Sequence, residues 1–550
     1  MIKIRIIKWL IPQIGLMLMF GFNVNATLTS LQVTTHKGKV EGLYDKTLGV
    51  YQFKGVPYAK PPIGELRWRP PAAMDAWQGV MPTKDFAARP MQIPIFGDMN
   101  FRSADVSEDS LYLNIWSADL TPKRPQPVLV YFHGGGFIAG DGSEPRYDGS
   151  SMAQNGVVTV TVNYRLGIFG FMAHSELSAE SSYNGSGNYG FLDQVAALRW
   201  VKENIAGFGG DPQRITIAGE SAGSMSVSAL MISPLSKDLI FAVIGESGSI
   251  VGSDFSSQTL ALAEQKGADI LTKLKVKSIA DFRELSASDL LQKTTEQDLI
   301  WYRPNIDNYF LPQEPLSLLQ QGHIAKVPVL AGVNSEEAGF NQVLGDKTPN
   351  VENYTNAVKQ LYPKYFKQVL ALYPGNDKES VLDSAQALAS DRFLSYGTWV
   401  WAEYVQRHSD QSVYYYLYTH PRPQLTSNFS DMQPALAGGL VEKSKVSETL
   451  PSSRGAVHSA EIEYVMGNLA TNQVFAWNDD DYAISSMFQG YFIRFIKTGD
   501  PNSSELPVWP KFADNKRLVI GTTISDESMS LLRKRYTLMA KINGFELQED

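Results

Sequence analysis

No cysteine occurs anywhere in the 550 residues. That excludes disulfides, cysteine-ligated zinc, thiol catalysis and a lipid anchor on an N-terminal cysteine. It does not argue for a cytosolic address, because an exported protein can equally do without cysteine. A strong charge imbalance is also missing: 49 Lys and Arg against 57 Asp and Glu leave a net charge of −8. Nucleic acid, which wants a basic face, is therefore an unsuitable partner. The chain has no repeat, no low-complexity tract and no Ser/Gly-rich linker. It reads as one large domain despite its length. Such a chain buries roughly three quarters of its unfolded surface and needs no covalent staple. Beyond the N-terminus no apolar run is long enough to span a membrane.

The N-terminus reads as an address. Lys3, Arg5 and Lys8 form a basic region, Trp9 to Phe22 is an apolar run, and Val24-Asn25-Ala26 closes on small residues. This is the pattern of a signal peptide, residues 1–26, cleaved near Ala26, with export to the periplasm or the medium; an uncleaved anchor is the alternative. Residues 27–550 are then the folded domain.

Along that domain, Leu31 to Tyr51 alternates apolar and polar residues as a leading hairpin does. Val128 to Phe132, Val157 to Val162, Ile215 to Ala218, Phe241 to Ile244, Val327 to Val333 and Ser412 to Thr419 read as buried strands, and Leu518 to Ile520 as an edge strand. Phe191 to Ile205 reads as a helix. Continuous apolar strands alternating with helices predict an α/β fold with a mostly parallel sheet covered on both faces. From about 260 to 401 the pattern is mainly helical, and these helices are expected to wall a cleft.

The chemistry centres on Ile215 to Met231. A strand runs into Gly219-Glu220-Ser221-Ala222-Gly223, and Met225, Val227, Leu230 and Met231 then recur at helical spacing. A serine on so sharp a strand-to-helix turn is exposed at the sheet edge, and the two glycines keep the bend clear. A serine hydroxyl needs a base, and the base needs an acid to hold its tautomer. Gly134-Gly135-Gly136 follows a buried strand directly and can offer bare N–H groups to an oxyanion, with the N–H of Ala222 as another donor. Glu336 and Glu337 lie together at a strand end. In the chain order serine, acid, histidine, His420 closes a strand and His458 sits in a small-residue turn opening a helix. The residues by themselves leave these two level as candidate bases.

Two further patterns invite a different reading. Gly185-Ser186-Gly187-Asn188-Tyr189-Gly190 fits the dinucleotide pattern, but follows a polar loop where that pattern requires a strand. Asn478-Asp479-Asp480-Asp481 reads as a solvated loop without calcium-loop spacing.

The chain resembles the type-B carboxylesterases, the group of bacterial p-nitrobenzyl esterases, liver carboxylesterases and cholinesterases. The resemblance covers nearly the whole mature chain. It rests on FKGVPYA at 53–59, SEDSLYLNIW at 107–116, YFHGGGF at 131–137, NYRLGIFGF at 163–171, the run from Gly187 to Ser224, and GDPN at 499–502. It implies an α/β-hydrolase fold and an esterase working on small-molecule esters through an acyl-enzyme, without cofactor or metal. It implies Ser221 as nucleophile, Glu337 as acid, His458 as base, Gly135, Gly136 and Ala222 as oxyanion donors, and Glu220 as an electrostatic neighbour. Amide or thioester hydrolysis would use the same groups. A non-catalytic cholinesterase-like binding protein would have no need of them. Three positions depart from the family pattern. Ser110 replaces a cysteine, with Pro90 near the expected partner; Ala338 replaces a glycine; and Asn100, beside Phe101, stands where cholinesterases carry a tryptophan for quaternary ammonium.

Overall fold

The computed structural model describes residues 29–96, 98–252, 257–429, 431–434, 439–442, 453–545 and 547. The signal-peptide reading at 1–26 lies outside them. No helix among the described residues is long and apolar enough to cross a membrane.

A 13-stranded sheet runs through the molecule. Its centre is seven parallel strands in the order Val158–Val162, Gln126–Phe132, Gly210–Glu220, Ala242–Glu246, Val329–Asn334, Val413–Tyr418 and Lys516–Ile520. Antiparallel strands continue it on both sides. The leading hairpin is there as Thr29–Thr34 and Lys39–Asp45, with Val50–Pro57 added as a third strand. At the other end the expected edge at Leu518 to Ile520 is wrong by one strand. Lys516–Ile520 is covered by Ile524–Ser528, whose mostly exposed, polar pattern conceals it from a search for apolar runs.

Side chains of a strand alternate between faces, and each face here has its own core. Val128, Val130 and Phe132 join one cluster with Ile215, Ile217 and Val243. Leu129 and Tyr131 join another with Ala218, Ile244 and Tyr416. The helices Tyr189–Asn204 and Ala222–Ile232 cover the first face, and Asp479–Thr498 covers the second. Burial on both faces is what demands uninterrupted apolar strands, and it leaves only the strand ends free for polar chemistry.

The Asn478 to Asp481 stretch is no solvated loop. Asn478 caps the helix Asp479–Thr498 in a capping box with Asp481, and Asp481 is fully buried. The Gly185 to Gly190 pattern does open a helix, at Tyr189, but a helix, Ser175–Glu180, and a turn precede it rather than a strand.

The loop left without a disulfide is tied by other means. Arg89–Pro90 pairs with Val106–Ser107, and Gln92 Nε2 donates to the carbonyls of Pro90 and Gly140. Ser110 itself is buried. Ala338 is not among the positive-φ residues, so its backbone has no need of glycine.

Candidate active site

The C-terminal ends of four adjacent parallel strands carry the chemistry. Gly210–Glu220 ends at Ser221, whose backbone sits at φ 56°, ψ −120°, before the helix Ala222–Ile232 begins. A non-glycine residue holds such a conformation only where its surroundings over-determine it. Here the Ser221 N–H donates to Glu246 O at 2.9 Å. The two glycines are sterically required. A Cβ on Gly223 would lie 2.1 Å from Phe132 O, and one on Gly219 would lie 2.6 Å from both Phe132 O and Gly223 C.

The glycine loop leaves the neighbouring strand, Gln126–Phe132, and lies against the serine turn. A Cβ on Gly134 would come within 2.8 Å of Glu220 O and 3.2 Å of Ser221 Cβ. Gly135 and Gly136 have positive φ, at 101° and 63°. Among the described residues nothing accepts a hydrogen bond from the N–H of Gly135, Gly136 or Ala222. All three residues line one cavity with Ser221, so these donors are available there. His133 braces the loop from below: burial pulls its pKa down to about 4. The neutral ring lies with Nδ1 2.9 Å from Gly134 O, a contact in which only the ring can donate.

The strand Val329–Asn334 delivers the acidic pair, and the two carboxylates part company. Glu336 turns outward to Ser453 and the Arg454 N–H. Glu337 turns inward, buried, and accepts from Asn334 N at 2.6 Å and Ser247 Oγ at 2.5 Å. Its other oxygen lies 2.6 Å from His458 Nδ1. The second ring nitrogen of His458 is 3.1 Å from Glu220 Oε1 and faces the cavity. No hydrogen bond joins Ser221 Oγ to the ring, although both residues line the same cavity. Such bonds are often long in an empty site and tighten with substrate.

Four buried glutamates surround this histidine's side of the sheet. Burial raises the pKa of Glu220, Glu246 and Glu461, the last to about 8, and in Glu246 and Glu461 the neighbouring carboxylates push the same way. Burial pulls His458 down, but Glu220, Glu337 and Glu461 outweigh it and raise the imidazole to about 9.

His420 has a different partner. Its Nε2 lies 2.8 Å from Asp481 Oδ1, which also accepts from Tyr464 OH at 2.7 Å. Position at a strand end does not separate a histidine that lines the cavity from one that anchors a helix.

The cavity, about 210 Å³, is apolar apart from the groups named, Arg146 and Ser459. Phe96, Met99, Met225, Trp301, Phe393 and Leu394 form much of its wall. The Phe393 ring meets the His458 ring edge-on at 5.6 Å. It reaches there from a π-helical turn, Asp391–Ser395, inserted between two α-helices. Sequence reasoning missed these wall residues and Ser247. A signal for Ser247 existed in Gly245-Glu246-Ser247-Gly248, a second serine-bearing turn at a strand end, with Ser247 at φ 55°. Asn100 lies elsewhere, on a separate polar cavity with Glu144 and Glu463.

A sequence profile of the carboxylesterase family matches residues 29–538. The chain belongs to that family. Among similar proteins is the para-nitrobenzyl esterase of Bacillus subtilis (strain 168), 33% identical, with 93% of this chain and 99% of that protein covered. The fumonisin B1 esterase of Sphingopyxis macrogoltabida is 32% identical, covering 87% of this chain and 84% of the relative. A solved carboxylesterase of Geobacillus stearothermophilus superposes with a TM-score of 0.73 at 30% identity, over 92% of this chain and 99% of its own. The fold is the α/β-hydrolase fold of these carboxylesterases, and the protein is a carboxylic ester hydrolase.

Proposed function

We propose that this carboxylesterase cleaves esters through an acyl-enzyme, with Ser221 as nucleophile, His458 as base and Glu337 as acid. The Ser221 oxygen attacks the ester carbonyl while His458 Nε2 takes its proton. The oxyanion that forms is held by the N–H groups of Gly135, Gly136 and Ala222, each worth about 3–4 kcal/mol in related sites. The imidazolium then gives the proton to the departing alcohol. Water, activated by the same ring, attacks the acyl-serine, the serine recovers its proton and the acid is released. Glu337 keeps the Nδ1 proton in place, and Glu220 stabilises the imidazolium. The observation that carries this reading is the 2.6 Å contact of His458 Nδ1 with Glu337 in the cavity that holds Ser221.

The apolar wall suits esters with uncharged, apolar acyl and alcohol parts. A panel of nitrophenyl esters of graded acyl length reads this preference. Ser221→Ala is expected to lower kcat by about 10⁴ or more with folding unchanged, and adding His458→Ala to it should cost little more, because such groups act as a unit. Near-wild-type turnover in folded Ser221→Ala would remove the serine from the mechanism.

The same reading extends to residues 27–550 as one functional domain acting after export. Expressed with its native N-terminus in a bacterium, the mature enzyme should begin near Thr27 outside the cytoplasm. N-terminal sequencing that finds Met1 on a cytoplasmic product would contradict it.

A further inference from the structure

The loop that presents His458 is held unequally on its two sides. Upstream, the acid-bearing loop grips it through the backbone. Glu336 N donates to Ala456 O at 2.8 Å, Ala456 N donates to Ser335 Oγ at 3.0 Å, and Asn334 Nδ2 donates to Val457 O at 2.8 Å. Downstream, the next residue is Ser459, at φ 63°, a conformation that residues with a side chain avoid. Two arginines from distant parts of the chain meet there. Arg422 Nη2 donates to Ser459 O at 3.2 Å and to Glu463 Oε2 at 3.1 Å. Arg146 Nη1 reaches Ser459 Oγ at 3.5 Å, the outer limit of a hydrogen bond. The Arg422 side chain is only 5% exposed, and its guanidinium lies over the Phe475 ring at 5.3 Å.

We propose that Arg422 is a positioning residue for the reaction. By holding Ser459 O it fixes the left-handed turn that aims the His458 ring between Glu337 and the serine cavity. This rests on His458 being the base. Arg422 is not among the residues lining the cavity, so it acts through the turn at His458 and Ser459; because Ser459 itself lines the cavity, KM is read beside kcat to separate ring placement from substrate contact. A guanidinium suits the task, since the two N–H bonds of its Nη2 are fixed in the plane of the group and reach a carbonyl and a carboxylate at once. Arg146, which does line the cavity, is the less clean reporter.

The test is steady-state kinetics on p-nitrophenyl acetate with Arg422→Met, Arg422→Lys and Arg422→Met combined with Glu463→Gln. The double variant removes the carboxylate that Arg422→Met alone would leave without its cation. Expected for Arg422→Met is a fall in kcat of about 10- to 100-fold with KM within twofold, as when a catalytic group is misplaced without loss of binding. Phosphorylation of the serine by diethyl p-nitrophenyl phosphate should slow by a similar factor. Arg422→Lys should recover part of the loss, and the double variant should stay slow. Wild-type kcat in the folded double variant would overturn the proposal, because charge balance around Glu463 would then be the whole role. Unchanged kcat in Arg422→Met would overturn it as well. If Arg422→Met does not fold, folded Arg422→Lys decides, with full kcat and KM counting against the proposal and a kcat several-fold lower counting for it. His458→Ala is measured alongside. If that variant keeps its activity, the base assignment itself has failed; if it is dead while Arg422→Met is normal, only the positioning role has.

Discussion

Two histidines in this enzyme are nearly matched by local criteria. His458 and His420 are each 8% exposed, and each puts a ring nitrogen on a buried carboxylate, at 2.6 Å and 2.8 Å. They differ in what the other nitrogen meets. His458 Nε2 faces the serine cavity and Glu220, whereas His420 Nδ1 is buried and has no hydrogen-bond partner among the described residues. The first ring has somewhere to pass a proton. The second, with the Tyr464 hydroxyl on the same Asp481 oxygen, ties the strand Val413–Tyr418 to the start of a long helix. A buried histidine–carboxylate pair is thus no sign of catalysis until its free nitrogen is traced to a cavity.

The largest expected effect separates the pair directly. His458→Ala should lose about 10⁴ in kcat with little change in folding. His420→Ala should keep activity within a few-fold and lose stability instead, by about 1–3 kcal/mol, because Asp481 is left buried with one hydrogen bond fewer. Nitrophenyl ester turnover and thermal unfolding of both variants make the comparison. A dead but stable His420→Ala would reverse it and call Glu337 into question too.

A smaller effect concerns pH. The base must be neutral to accept a proton, and the carboxylates around His458 favour its charged form. The acid limb of kcat/KM should therefore lie above the ordinary histidine value, toward the value of about 9 to which the ring is raised. Activity then climbs with pH where a free histidine would already have levelled off. Glu220→Gln removes one of those charges and should move the limb down by about one pH unit. A limb that stays put in that variant would mean that Glu220 does not act on the ring as its 3.1 Å distance suggests.

Much of the site was legible in the sequence where the cause was local. Gly219 and Gly223 announce the turn by their spacing around Ser221, although the backbone they make room for is largely that of Phe132 and His133 at the end of the neighbouring strand. The strands are legible because burial on both faces leaves no room for polar residues. The choice between histidines was not local: His458 and Glu337 meet across 121 residues, and only the family resemblance pointed to the pair. Phe393 enters the cavity from a π-helical turn, which no apolar periodicity signals. The misread aspartates teach the opposite lesson. Asn478 and Asp481 form a capping box whose spacing is present in the sequence, within three consecutive acidic residues whose charge by itself favours a solvated loop.

The register of the sheet carries a consequence for how this enzyme can change. Phe132 pairs with Gly219, and Glu220 with Glu246, so the glycine loop, the serine turn and the Ser247 turn leave the sheet at heights set by backbone pairing. Apart from Met225 on the serine helix, the groups that fill much of the cavity wall come from elsewhere: Phe96 and Met99 from the loop before Val106, Trp301 from the segment after the helix Ala287–Glu296, Phe393 and Leu394 from the π turn. The reacting groups and the substrate-facing groups therefore vary on separate stretches of chain. Libraries confined to positions 96, 99, 301 and 394 can reshape substrate range while the proposed turnover machinery is inherited unchanged, with Phe393 kept because it meets the His458 ring, which makes this scaffold readily evolvable.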